Sequence, residues 1–274
     1  MVRYANPLEG ILLAHEFGHN KGRFHRNGIR NLMHPSIGSS RVGVNEAECN
    51  AFRGLGQMQA QPAVVPGQNQ VQPAADTLEA IREHYPHGFP VSVGLNLPSE
   101  DAEKVADLLV DETEMQWWPN ALAALGLMGA DISFETIRSF IERQNADTFS
   151  NPFVFRALAT APIALGYYVN VTGDKEALDY IIKSATPNRV LENSQFNAMI
   201  SGNRDEAETL SGSFVAALSL AVTEDDTALE ALSGLPSDSG DFQAVVSSQT
   251  EEANTEYRKV KELGLEAYSN QSSQ

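Results

Sequence analysis

The feature that most constrains the fold of this 274-residue chain is an apolar pattern that occurs twice, forty residues apart. Ala124–Gly126 reads Ala-Leu-Gly and is followed by Ile137, Phe140 and Ile141. The same three residues return at Ala164–Gly166, followed by Leu178, Ile181 and Ile182. Spacings of three and four are typical of one helix face. Because one helix pair cannot bury its own apolar face, the pattern predicts pairs that stack on one another.

The two copies also share a turn, and a third copy is recognisable. Each predicted helix pair is joined by Gly and Asp, at Gly129–Asp131 and at Gly173–Asp174. A more divergent unit begins at Ala217–Ser219, with leucines at positions 229, 232 and 235 behind it. The pattern resembles HEAT-type helical repeats, which implies a mainly α fold of the α-solenoid type. The alternative is a helical bundle without repeats.

The N-terminal part carries a different pattern, HExxHxxGxxH, from His15 to His25. Histidines four residues apart share one helix face, so His15 and His19 can hold one metal ion, and Glu16 can reach a metal-bound water. Gly22 tolerates positive φ, so the helix can end there and His25 can be the third ligand. Three protein ligands leave one zinc position open, as in catalytic sites. A surface helix with incidental histidines is the alternative.

Two further segments extend this pattern. Asn31–Pro35 holds Met33 followed by an x-Pro step, and Val44–Arg53 reads as a helix with Asn45 as its N-cap. Residues 7–56 thereby resemble the metzincin zinc metalloproteases, most closely the matrixins, with an active-site helix, a Met-turn and a closing helix. An ordinary apolar turn is the alternative for Met33.

The resemblance implies a set of roles. Zn²⁺ would be bound by His15, His19 and His25, and Met33 would form an apolar floor beneath them without being a ligand. Glu16 would act as general base while zinc-bound water attacks a peptide bond of a protein or peptide substrate. The family also implies a secreted protein, although residues 1–6 contain no signal peptide.

One part of the matrixin pattern is missing from the sequence. Matrixins place a twisted sheet before the zinc helix, which forms the upper wall of the cleft, whereas only Met1 to Asn6 precede that helix here. We therefore expect an incomplete cleft. A coding start further upstream, a fragment and a reduced zinc module are all compatible with this observation.

Charge and composition divide the chain into three regions. Residues 1–56 carry seven Lys or Arg and four Asp or Glu, a net charge of +3, while the rest carries 12 and 32, a net charge of −20. Residues 57–76 are rich in Gln and Pro and read as a linker. Residues 77–274 are then an acidic helical-repeat domain, which we expect to bind a protein partner on its concave face. Acidic charge argues against nucleic acid, and no apolar run is long enough for a membrane span.

Some local patterns make narrower predictions. Val91–Leu97 alternates apolar and polar residues, which favours an extended segment or a strand. Ser99 and Ser133 are predicted N-caps, and Pro119 is a predicted helix start. Trp117 and Trp118 are expected to pack at the start of that helix, with a binding hot spot as the alternative.

Two functions from different classes fit these observations. The first is a zinc-dependent metalloendopeptidase with a helical-repeat domain that binds protein. The second is a HEAT-like protein-interaction module that carries an incomplete, inactive zinc-protease remnant.

Overall fold

The computed structural model describes residues 76–85, 88–145 and 151–272. In these ranges the chain is mainly α, as predicted, and contains no strand. No helix in this part is long and apolar enough to cross a membrane. The helices are α1 Thr77–Ile81, α2 Val91–Gly94, α3 Ala102–Leu108, α4 Trp118–Met128, α5 Ser133–Glu142, α6 Pro152–Thr172, α7 Lys175–Ser184, α8 Pro187–Glu192, α9 Ser194–Ile200, α10 Arg204–Leu220, α11 Thr227–Gly234, α12 Gln243–Leu263 and α13 Leu265–Ser272.

The alternating segment after Pro90 is a short helix, so the extended interpretation was wrong. The backbone N–H of Leu95 donates to the carbonyl of Val91 at 3.0 Å, and Gly94 donates to Pro90 at 3.1 Å. Because no strand in the described ranges offers a ladder, these backbone groups are satisfied locally. Val91 is buried, and Gly94 lies directly against Leu127 of α4.

The two predicted serine caps were also wrong. Ser99 begins a single 3₁₀ turn before α3, whose own N-cap position is Asp101. Ser133 is the first residue of α5, and its buried hydroxyl has no hydrogen-bond partner in the described part. Pro119 is the second residue of α4, close to its predicted place. Both predictions failed for the same reason. Each serine already lies within a helical or 3₁₀ turn, so it does not occupy the extended N-cap position.

The packing at the start of α4 confirms the prediction for Trp118. Its side chain is buried, and the indole N–H donates to the carbonyl of Leu108 at 2.7 Å. The ring meets Phe140 of α5 edge to face, with ring centroids 5.4 Å apart. Trp117 is only half-buried. Trp118 therefore joins α3, α4 and α5 in one apolar core.

Three long helices, α4, α6 and α10, lie side by side and run parallel. Gly126 of α4 lies against Ala164 of α6, and Gly129 just beyond α4 lies against Val171. In the same way Gly166 of α6 contacts Ala217 of α10. Four residues further along α6, the Asn170 amide donates to the carbonyl of Leu220 at 2.8 Å. Because residue numbers rise together across both interfaces, the helices share one direction.

Each of these helices is followed by a shorter helix, and we call α4–α5, α6–α7 and α10–α11 the first, second and third helix pairs. The first two turns contain Gly129 and Gly173, where the sequence predicts turns, and the structure shows that both glycines have positive φ. Asp174 then caps α7, accepting from the backbone N–H groups of Glu176 and Ala177 at 2.8 and 2.9 Å. Helices α8 and α9 are inserted before the third pair.

Aromatic rings connect the second helices of these pairs to the core. Phe134 lies 6.4 Å from Tyr168 and 6.1 Å from Tyr180, measured between ring centroids. Tyr180 in turn lies 6.1 Å from Phe214 of α10. Burial of one large apolar side chain contributes about 1.5–3 kcal/mol, whereas an exposed ion pair contributes about 0–1 kcal/mol. Packing of the helices therefore dominates the stability of this region.

Candidate functional site

The predicted zinc site lies outside the described residues. This applies to the proposed ligands, to the base Glu16, to Gly22 and to Met33, and their roles stay predictions. The predicted linker lies outside too, except for its last residue. Asp76 caps α1, accepting from the backbone N–H of Leu78 at 3.0 Å. Within residues 76–85, 88–145 and 151–272, no group of three or more His, Cys, Asp or Glu side chains could hold a metal ion.

The described part contains an open groove at the turn ends of the second and third helix pairs. This turn groove has a volume of about 720 Å³. Its apolar surface comes from Val171, Leu178, Ile182 and Val222. Its polar lining comes from Asn170, Thr172, Lys175, Asp179, Thr223, Glu224, Asp225 and Thr227. Binding surfaces usually combine apolar and polar lining in this way.

The charges of the turn groove are largely paired within the protein. Lys175 lies 3.7 Å from Asp225, and Lys183 lies 2.5 Å from Asp179. Hydrogen bonds from Thr223 and then Thr227 lower the pKa of Asp225 to about 2. Asp225 is thus an anion at neutral pH and accepts hydrogen bonds. Among the residues that the structure describes, no histidine or cysteine lines this groove.

A second groove lies between α6, α10 and α12, and we call it the interhelix groove. Its volume is about 360 Å³. Small residues of α10 lie at its base, and two tyrosines and two glutamates lie around it: Gly212, Ala216, Ser219, Tyr167, Tyr268, Glu252 and Glu256. Ser219 occupies the position that is glycine in the first two copies of the Ala-Leu-Gly pattern.

Ionisation in the interhelix groove follows from its contacts. Burial raises the pKa of Tyr167, so its ring stays neutral. A hydrogen bond from Lys259, and more weakly one from Tyr268, holds the pKa of Glu256 below its usual range. The Lys259 ammonium lies 2.8 Å from the Glu256 carboxylate. Glu252 is exposed and makes no ion pair within the described part of the chain.

Sequence reasoning identified neither groove. The one signal available for the interhelix groove was Ser219, which breaks the Ala-Leu-Gly pattern in the third copy. For the turn groove, the cluster of Thr and Asp between positions 223 and 227 indicated a turn but not a cavity. Comparison of the chain with protein-family models, with curated proteins and with solved structures finds no match. Evidence for a function therefore comes from the residues of this chain themselves.

Proposed function

We propose that this protein is a zinc-dependent endopeptidase whose acidic helical domain binds polypeptide. One observation carries the catalytic part of the proposal, the run HExxHxxGxxH from His15 to His25 followed by Met33. The spacing provides three imidazoles and one carboxylate in the arrangement that peptide hydrolysis by zinc requires.

The donor set fits zinc. His15, His19 and His25 would hold the ion, since neutral imidazole is a preferred zinc ligand. When bound, zinc lowers the pKa of a water molecule and polarises a carbonyl group. Glu16 is next to a ligand without being one itself, so its carboxylate can accept the proton of the attacking water and return it to the departing amine. Met33 would support the imidazoles from below through apolar contact.

The proposed role of the helical domain is supported by its packing and its surface. Two successive interfaces use the same glycine-to-alanine contact, as a stacked HEAT-like solenoid would. Both grooves combine apolar and polar lining, and the region from residue 57 onward has a net charge of −20. Such surfaces suit extended segments of a protein substrate or partner, particularly basic ones.

The test combines metal analysis with a cleavage assay on the full chain. Wild type should retain about one zinc per chain after dialysis, and His19→Ala should lose it. Glu16→Ala should keep zinc, while cleavage of fluorescently labelled casein falls about 10²–10⁴-fold. Glu46→Ala is the control, because it removes a carboxylate from the predicted closing helix, outside the motif. Zinc content that is unchanged in His19→Ala would remove the basis of the proposal.

The second candidate is a protein-interaction module with an inactive zinc remnant. It is favoured by the position of the motif, since about four-fifths of the chain lies beyond residue 56. On this hypothesis wild type binds zinc and cleaves nothing, even when extended upstream, and the helical grooves alone carry the function. Cleavage that depends on Glu16 would exclude it.

A further inference from the structure

The base of the interhelix groove is made by small residues on one face of α10. Gly212, Ala216 and Ser219 are spaced by four and three positions, so they lie in line along that helix. Gly212 and Ala216 are half-buried, and the Ser219 hydroxyl is occupied, donating to the carbonyl of Ala216 at 2.7 Å. These short side chains leave room beside α10, next to the Gln249 amide that lies over Gly212.

The walls provide aromatic rings and carboxylates together. Tyr167 comes from α6 and Tyr268 from α13, and Glu252 and Glu256 lie one turn apart on α12. Among the residues described, no lysine or arginine lines the groove and Glu252 has no ion-pair partner, whereas Glu256 pairs with Lys259. Neutral aromatic faces attract cations, and carboxylates accept charge-assisted hydrogen bonds from them.

One acceptor atom in the interhelix groove has no hydrogen-bond donor, which also favours a ligand that carries N–H groups. Gln249 lines the same groove, and its side-chain oxygen is buried with no hydrogen-bond partner in the described ranges. An incoming N–H group would remove the cost of that unsatisfied oxygen. A guanidinium has five N–H donors in a planar fork and stacks on aromatic rings, whereas an ammonium is a compact, strongly hydrated charge.

We propose that the interhelix groove binds an arginine side chain of an unstructured polypeptide. The inference rests on the proposed function only in that the helical domain is the polypeptide-binding part. The turn groove is the weaker candidate, since among the described residues no aromatic side chain lines it, and Lys175 and Lys183 pair with two of its carboxylates. A basic residue entering that groove would have to compete with those lysines.

The test measures binding of a fluorescein-labelled peptide of alternating Gly and Arg to the full chain by fluorescence anisotropy, at near-physiological salt. Ala216→Leu fills the groove without changing charge and should weaken binding about tenfold, which corresponds to about 1.4 kcal/mol. Glu252→Gln should weaken binding to a similar extent. Glu262→Gln is the matched control, because it removes one exposed carboxylate of α12 that does not line the groove, and it should change the affinity less than about twofold.

A peptide with Lys in place of Arg tests the choice of guanidinium and should bind several-fold more weakly. Equal loss in Glu252→Gln and Glu262→Gln, or no binding by wild type, would overturn the proposal, since charge alone would then explain any attraction. Normal affinity in a folded Ala216→Leu variant would overturn it too. If Ala216→Leu does not fold, the comparison of the two glutamate variants decides. Glu16→Ala should bind the Arg peptide like wild type, so failure of the peptidase proposal leaves this result unaffected.

Discussion

The first two helix pairs and the third differ at the same place in their sequence, and their structures differ there as well. A Cβ atom at Gly126 would lie 2.1 Å from the backbone oxygen of Ala164, and one at Gly166 would lie 2.5 Å from that of Ala217. In the third pair Ser219 takes the glycine position, and the interhelix groove lies beside it. Glycine thus permits contact between backbones, whereas serine is found where the neighbouring helices leave a groove.

The turns differ in a parallel way. Positive φ falls on Gly129 and Gly173 in the first two pairs, but on Asp226 (φ 53°) immediately before α11 in the third. Asp226 is stabilised by side chains of α12, accepting a hydrogen bond from the Tyr257 hydroxyl at 2.7 Å and pairing with Lys261. The same backbone requirement is met by a glycine in one place and by tertiary contacts in the other.

The largest effect is expected at the closest contact between backbones. Gly126→Ala should lower the free energy of unfolding by about 3 kcal/mol, because a carbonyl oxygen cannot move aside without shifting α6. Gly166→Ala should cost slightly less, since its nearest atom is further away. Denaturant unfolding followed by circular dichroism measures both changes.

Gly234→Ala provides the control for these glycine variants. No atom of the described residues lies within 4 Å of its added Cβ, and the residue is the last one of α11. This variant should be neutral or stabilised by up to about 1 kcal/mol through helix propensity. If Gly126→Ala were as stable as Gly234→Ala, the close contact between α4 and α6 would be refuted.

The next largest effect tests the turn of the third pair. Asp226→Ala removes the acceptor of the buried Tyr257 hydroxyl. It also leaves an alanine at positive φ, where no side-chain hydrogen bond stabilises the backbone. A loss smaller than that of Gly126→Ala is expected from the unsatisfied hydroxyl and the backbone strain. Asp226→Asn keeps an acceptor and tolerates this φ, so it should lose much less. Equal losses in the two variants would mean that charge and not the hydrogen bond stabilises the turn.

A smaller effect is expected in the dependence of stability on pH. Hydrogen bonds from Lys261 and then Tyr257 hold the pKa of Asp226 below its ordinary value of 3.8. A carboxyl group with a lowered folded pKa contributes stability above its unfolded pKa and loses it as pH falls through the folded value. The Tm difference between wild type and Asp226→Asn, measured near pH 6, should therefore shrink below about pH 4. A constant difference across this range would contradict the assignment.

The smallest effect is expected at the interface between α10 and α12, where Gly212 faces Gln249. At Gly212 an added Cβ would meet the Gln249 amide nitrogen at 2.9 Å, which is the end of a flexible side chain. Gly212→Ala should therefore stay within about 0.5 kcal/mol of wild type, because gained helix propensity offsets a small shift of Gln249. A loss as large as that of Gly126→Ala would show that α10 and α12 are packed as tightly as α4 and α6.

Much of the local structure was predictable because it depends on nearby residues. The apolar spacing predicted the helix pairs, and Gly129 and Gly173 marked their turns correctly. The failures were also local: Ser133 looked like a cap, and the segment after Pro90 looked extended. Whether Ser133 caps a helix and whether the segment after Pro90 is extended both depend on the backbone conformation of the flanking residues. Gly94 of that segment also lies directly against Leu127 of α4. Sequence periodicity alone does not contain that contact.

The sequence by itself determined the repeated helix pairs, the glycines of their turns and the metal-ligating spacing of His15, His19 and His25, because each depends on residues a few positions apart. Only the tertiary structure decided that Gly126 and Gly166 lie against backbone atoms of the next long helix, and that Tyr167, Glu252 and Tyr268 line one groove. These groups are separated by tens of residues. Their distances follow from how closely the helices approach, which is determined by the size of the side chains between them.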